Sequence, residues 1–159
     1  MDLIDRIRSH EILSLFIEKE CKENNISINL DLKIDKSITL KVDKYYNSLN
    51  IDKPPKSPDC LITIKCYNTS YKFCLVELKS GEFEMKSIIE KFETALIDFI
   101  GKRFPDILND CYKSIELYAI INNPRSAHLF KIKSSVIYRK SPLEIRVATN
   151  NKTIKPCYR

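Results

Sequence analysis

From Ile26 to Val42 apolar and polar residues alternate: Ile26, Ile28, Leu30, Leu32 and Ile34, then Ile38, Leu40 and Val42. Period two over this length predicts extended chain with one buried face. Asp35-Lys36-Ser37 is the expected turn, making a hairpin in which Ile34 pairs with Ile38 and Leu32 with Leu40. A second hairpin is predicted from Cys60–Tyr67 and Tyr71–Lys79 around the polar segment Asn68-Thr69-Ser70. With Tyr67 opposite Tyr71, Cys60 faces Leu78, Ile62 faces Val76 and Ile64 faces Cys74, one consistently apolar face. That register sets Asp59 opposite Lys79, with Glu77 on the same face as Lys79.

Helical spacing frames these strands. A first helix is predicted over Asp2–Glu23, with Leu3, Ile7, His10, Ser14, Ile17 and Cys21 on one strip. An adjacent strip carries Ile4, Ile7, Glu11, Leu15 and Glu18. A second helix, Glu84–Lys102, has a clear apolar face of Met85, Ile88, Ile89, Phe92, Leu96, Phe99 and Ile100. Gly101 and Pro105 mark its end, and a shorter helical turn follows through Leu108 and Tyr112. Ser114–Ile121 reads as a strand. Strand, long helix and strand form a crossover, which predicts a parallel pair between Tyr71–Lys79 and Ser114–Ile121. Tyr45–Ser57, with Pro54-Pro55, reads as a loop. In the tail, Arg125–Lys131 reads as a helical turn, and Ser135–Tyr138 and Leu143–Ala148 as short strands. The expected architecture is a single α/β domain over 1–159 with a mixed sheet, its core ending near residue 123 and a basic extension following.

Composition narrows the classes. The 159 residues suffice for one hydrophobic core, and 43% hydrophobic with 30% charged residues is ordinary for a globular protein. Only two glycines, and no phosphate-loop or dinucleotide pattern, exclude the common nucleotide-binding loops. The amino terminus carries acids where a secretion signal is basic and then apolar, so a cytoplasmic location without membrane insertion is expected. Six cysteines show no C-x-x-C spacing, and Cys60, Cys66 and Cys74 are expected as small buried hydrophobes. His10 and His128 form no ligand motif.

Two carboxylates converging at a strand end repel unless one is protonated or a cation lies between them. Asp59 and Glu77, with Lys79 beside them, therefore suit a hard divalent ion and a cation able to act on water. Pro58-Asp59, followed after the intervening hairpin by Glu77-Leu78-Lys79, resembles the PD-(D/E)XK nuclease superfamily, which includes restriction endonucleases and archaeal Holliday-junction resolvases. The resemblance implies a restriction-endonuclease-like core, with the Asp59 and Glu77 carboxylates and the Leu78 carbonyl holding Mg2+ (Mn2+ substituting). Lys79 would then assist the attacking water. The superfamily's first helix commonly adds a glutamate, a role open to Glu11 or Glu18; His10-Glu11-Ile12-Leu13 resembles the resolvase branch and favours Glu11. A surface glutamate at a helix edge is the alternative.

The formal charge of +6 suits a polyanion. Lys53 and Lys56 precede Asp59, and the tail carries Arg139, Lys140 and Arg146 among many cations against the single acid Glu144. Tyr45 and Tyr46 either stack on an exposed base or cover the edge of the core. The expected function is metal-dependent hydrolysis of DNA phosphodiester bonds with water as nucleophile, RNA remaining open as substrate. Two copies acting as a homodimer would allow both strands to be cut. The alternatives are a silent nucleic-acid-binding module of this fold and a protein-interaction domain with a chance Glu-x-Lys pattern.

Overall fold

The computed structural model describes residues 1–67, 69–109, 113–122 and 133–157. In chain order its elements are α1 (Leu3–Ser9), a 3₁₀ turn (Leu13–Phe16), β1 (Ile17–Glu18), β2 (Lys22–Glu23), β3 (Ile26–Leu30), β4 (Ser37–Lys41) and α2 (Val42–Ser48). There follow β5 (Cys60–Lys65), β6 (Tyr71–Lys79), α3 (Met85–Glu93) running on into a π-helical stretch (Thr94–Arg103), α4 (Pro105–Leu108), β7 (Lys113–Ile121), β8 (Ser135–Tyr138), β9 (Ser141–Thr149) and β10 (Lys152–Ile154). The protein is a mixed α/β fold, as expected, built on a seven-stranded sheet of order β1-β4-β5-β6-β7-β9-β8. The strands β6, β7 and β9 are mutually parallel, and the α3 crossover supplies the β6–β7 connection.

Both faces of the sheet are covered because its central strands are apolar on both. Leu61, Phe73, Leu75, Leu117 and Ala119 face the helices and pack with Ile4, Ile7, Ile88, Phe92, Leu96 and Phe99. Cys60, Ile62, Ile64, Cys74, Val76, Leu78, Tyr118 and Ile120 face a second, three-stranded sheet, β10-β3-β2, which contributes Cys21, Ile26, Ile28 and Ile154. The strands β9 and β10 are built into these two sheets, so the residues read as a basic extension complete both layers.

Four expectations are corrected. The first helix ends at Ser9, where His10 turns extended (φ −71°, ψ 133°) and its Nδ1 accepts the N–H groups of Ile12 and Leu13, both at 3.1 Å. This side-chain cap starts a separate turn and diverts the chain into β1 and β2. The alternating stretch from Ile26 to Val42 is no hairpin: β3 belongs to the small sheet, while β4 pairs with β1 and β5. Leu32 is fully exposed between them, and Ile28 and Leu40 enter different cores. The central hairpin closes one residue early, with Cys66 N–H donating to the Ser70 carbonyl at 2.9 Å and Thr69 left-handed at φ 59°. Cys60 therefore faces Val76, Ile62 faces Cys74, and Lys65 faces Tyr71. A two-residue slip preserves the faces but brings Asp59 level with Glu77 rather than Lys79.

Finally, Tyr45 and Tyr46 lie on α2, buried against Phe99 with ring centroids 5.4 and 6.2 Å away, and are closed to base stacking. The turn expected over Arg125–Lys131, and Asn68, Cys111, Tyr112 and His128, lie outside the described residues. Among the described residues no helix is long and apolar enough to cross a membrane.

Candidate metal centre

Asp59 immediately precedes β5, and its position is fixed twice. Its carbonyl accepts Val42 N–H at 3.0 Å, and its Oδ2 accepts Leu78 N–H at 2.7 Å. The N–H and C=O of one strand residue face the same neighbour, so the Leu78 carbonyl also faces the Asp59 side. Glu77, on β6, is 2% exposed and sits within hydrogen-bonding reach of the Asp59 carboxyl, itself 5% exposed. Lys79 follows on the same face, its ammonium 3.9 Å from Glu77 Oε2. The structure thus brings together the Asp59, Glu77 and Lys79 picked out by sequence.

Glu11 does not join them. It lies exposed in the turn after α1, because the helix that was to present it stops at Ser9. Glu18 is engaged elsewhere, 2.5 Å from Lys44. The acids that complete the cluster are Glu23, from β2, and Asp43, from the first turn of α2. Carboxylate oxygens of Glu23, Asp43 and Asp59 all lie within 4.8 Å of one another. Glu23 lies against Asp59, and the Lys41 ammonium lies 3.5 Å from Asp43 Oδ1. A further cation comes from α3: Lys91 forms a close ion pair with Glu77 Oε2.

Four carboxyl groups packed this closely cannot all ionise without cations. Burial first, then the neighbouring Glu77, pushes the Asp59 carboxyl up to about 7. The hydrogen bond to Asp59, followed by burial, raises Glu23. Burial and the adjacent Lys91 lower the Lys79 ammonium, the direction that favours a proton acceptor. Burial opposes the charge on Lys91, but Glu77 outweighs it and holds that ammonium above its ordinary range. The donors offered are all oxygens, with carboxylates of Glu23, Asp43 and Asp59 converging. Such a set fits a hard divalent ion.

The proposed nucleic-acid contacts divide by place. Lys56, on the loop entering Asp59, pairs with Glu90 at 3.4 Å, next to Lys91 in sequence, and Lys53 is exposed on the same loop. Arg139 and Lys140 form the turn before β9, and Arg139 reaches Asn109 at 2.5 Å, just before β7. Because β6, β7 and β9 run parallel, this turn lies at the opposite end of the sheet from Glu77 and Lys79. Arg146 is held by Glu116 and the Tyr118 hydroxyl, both at 3.3 Å, on the face turned to the small sheet.

The cysteine expectation is corrected here. Cys21 is bonded to Cys60 and Cys66 to Cys157, with Cα–Cα distances of 6.1 and 5.5 Å, leaving Cys74 free and buried. Cys60 is still a core residue, yet the bridge links it, next to Asp59, to Cys21, two positions before Glu23, the acid that meets Asp59. Spacing could not reveal pairs separated by 39 and 91 positions. Comparison with known proteins leaves the centre to be judged on its own geometry: no protein-family model, curated protein or solved structure matches this chain.

Proposed function

We propose that the chain is a Mg2+-dependent nuclease of the PD-(D/E)XK type that hydrolyses DNA phosphodiester bonds with water as nucleophile. The observation that carries this reading is the meeting of Asp59, Glu77 and Lys79 with Glu23 and Asp43 at one end of the sheet. Asp59, Glu23 and Asp43, with Glu77 and the Leu78 carbonyl alongside, are the groups that would hold the ion. When bound, the ion supplies Lewis acidity toward the phosphate and lowers the pKa of water. Lys79, its proton loosened by burial, orients the attacking water and can take its proton. Lys91, in its close ion pair with Glu77, holds that carboxylate in place. Lys53 and Lys56 offer positive charge to a DNA backbone approaching the acids. Manganese substitutes for magnesium because the donors are oxygens.

The close Lys91–Glu77 ion pair also favours a second reading, a silent nucleic-acid-binding module, since it neutralises Glu77 without any metal. Incubation of plasmid, single-stranded and branched DNA with Mg2+, Mn2+ or chelator separates the two. Cleavage that chelator abolishes supports the nuclease; DNA binding without cleavage in either metal supports the silent module. The disulfides fit a compartment where protein disulfides persist rather than the reducing cytoplasm expected from sequence. Cutting both strands calls for a pair of chains, which sedimentation on duplex DNA would detect.

A further inference from the structure

We propose that the Cys21–Cys60 disulfide is a positioning element for the metal centre, holding Glu23 against Asp59. This rests on the nuclease reading and deepens it. The bridge joins the residue next to Asp59 to a residue two positions before Glu23, and both half-cystines are buried, at 1% and 0% exposure. The acids therefore hang on either side of one covalent link.

Few backbone contacts hold Glu23 there. The strand β2 has two residues, pairing Lys22 with Ser27 and Glu23 with Ile26; beside it the Cys21 carbonyl accepts Ile28 N–H at 3.2 Å, and the turn that follows places Asn24 in the left-handed region at φ 54°. Both β2 residues are exposed, so no apolar side chain of that strand anchors it. A two-residue strand opens locally at little cost, and the disulfide limits how far Glu23 can move from Asp59 when it does. The same segment forms one wall of a cavity of about 260 Å³ lined by Glu23, Asn24, Leu78, Lys79 and Ser80, so the tether fixes both an acid and the space beside Lys79. The second disulfide, Cys66–Cys157, borders a different cavity, with Lys33, Ile34 and Tyr67, and provides an internal control. Opening the Cys21–Cys60 bond is a two-electron reduction: a dithiol reductant gives two protein thiols and leaves as its own disulfide. Glu23 is then released from Asp59.

The test uses the full chain and Mn2+ alone, with affinity measured calorimetrically. The parent binds Mn2+, and C21A/C60A binds it about 10- to 100-fold more weakly, the loss typical of removing a group that orients a ligand. In the disulfide-intact protein, E23Q loses a similar factor. The triple variant C21A/C60A/E23Q loses little more than either, because both changes remove one arrangement. C66A/C157A keeps the parent's affinity. Full Mn2+ affinity in C21A/C60A, or losses that multiply in the triple variant, would overturn the proposal. Amide hydrogen exchange in metal-free protein supplies the second readout. Protection at Lys22–Ile26 falls in C21A/C60A and stays in C66A/C157A; unchanged protection in C21A/C60A overturns the tether. Should the parent bind no Mn2+, the nuclease reading fails and the exchange result still decides the tether. If C21A/C60A does not fold, C66A/C157A reduced with a phosphine, so that Cys21–Cys60 is the disulfide opened, takes its place in both measurements, with oxidised C66A/C157A as its control.

Discussion

Replacing Asp59 with asparagine should stabilise the metal-free protein while removing its metal dependence. Asp59 lies between Glu77 and Glu23, 5% exposed, with its carboxyl pushed up to about 7. Its folded value thus exceeds its ordinary value of 3.8, so the folded state holds this proton more tightly than the unfolded chain does. The stability it contributes is full below about pH 4 and is lost as pH rises through about 7. A shift of that size caps the loss at about 4 kcal/mol, and sharing of the proton with Glu23 reduces it to the order of 1–3 kcal/mol. Asparagine has no proton to lose, can still accept Leu78 N–H, and offers an amide to the adjacent carboxylates. Urea unfolding with chelator, disulfides intact, should therefore find parent and D59N alike at pH 4 and D59N more stable at pH 8. Mg2+ at 1,000 times its Kd reverses the order at pH 8, because it adds about 4.1 kcal/mol to the parent alone. A variant less stable than the parent at pH 8 in chelator, or a gap independent of pH, would refute the reasoning.

Lys79→Ala should slow cleavage by about 100- to 10,000-fold with DNA affinity nearly unchanged, read from a time course in Mg2+ beside a titration in Ca2+. Neutralising Lys53 and Lys56 together should reduce the salt slope of DNA binding by up to about 2, whereas Arg139→Ala with Lys140→Ala should leave it unchanged, since that turn is at the far end of the sheet. Asp2→Ala should cost about 0.5–2 kcal/mol in urea unfolding, because Asp2 caps α1 through Asp5 N–H and pairs with Lys36 and Lys65 at 2.5 and 3.1 Å. Lys36 holds the Asp2 carboxyl well below its usual range, so that difference should be full at neutral pH and fade as pH falls below about 4. Phe92→Ala, at a fully buried position under α3, should cost about 3–5 kcal/mol by the same assay.

The elements most legible in the sequence are those whose pattern is enforced locally. The α3 face from Met85 to Phe92 and the β6–β7 crossover follow from helical or twofold spacing between clear breaks; in the less patterned tail, the strand expected over Leu143–Ala148 runs from Ser141 to Thr149. The first helix was misjudged because Leu3, Ile4 and Ile7 start a helical strip that Ile17 and Cys21 happen to continue. The break at His10 depends on an imidazole accepting two backbone N–H groups, which no periodicity reveals. Alternation from Ile26 to Val42 identified extended chain correctly but not its partners. Two cores lie on opposite sides of one sheet, so consecutive alternating segments could serve different layers.

The candidate centre divides along the same line. Asp59, Glu77 and Lys79 are readable because side chains on paired strands keep their faces even when register slips by two residues. The slip sets Asp59 level with Glu77 rather than Lys79, and after burial this neighbour is the next cause that raises the carboxyl. Glu23, Asp43 and Lys91 reach the cluster from a two-residue strand, a short helix and the crossover helix, three elements distant in sequence. Each arrives through tertiary contacts: the Cys21–Cys60 bond for Glu23, the Val42–Asp59 hydrogen bond for α2, and burial of Ile88 and Phe92 for Lys91. The glutamate ahead of the hairpin that meets Asp59 is Glu23 on β2, not the Glu11 expected from the first helix. A buried pair of acids demands further charge around it, and the fold meets that demand with whichever segments its packing brings to the end of β6.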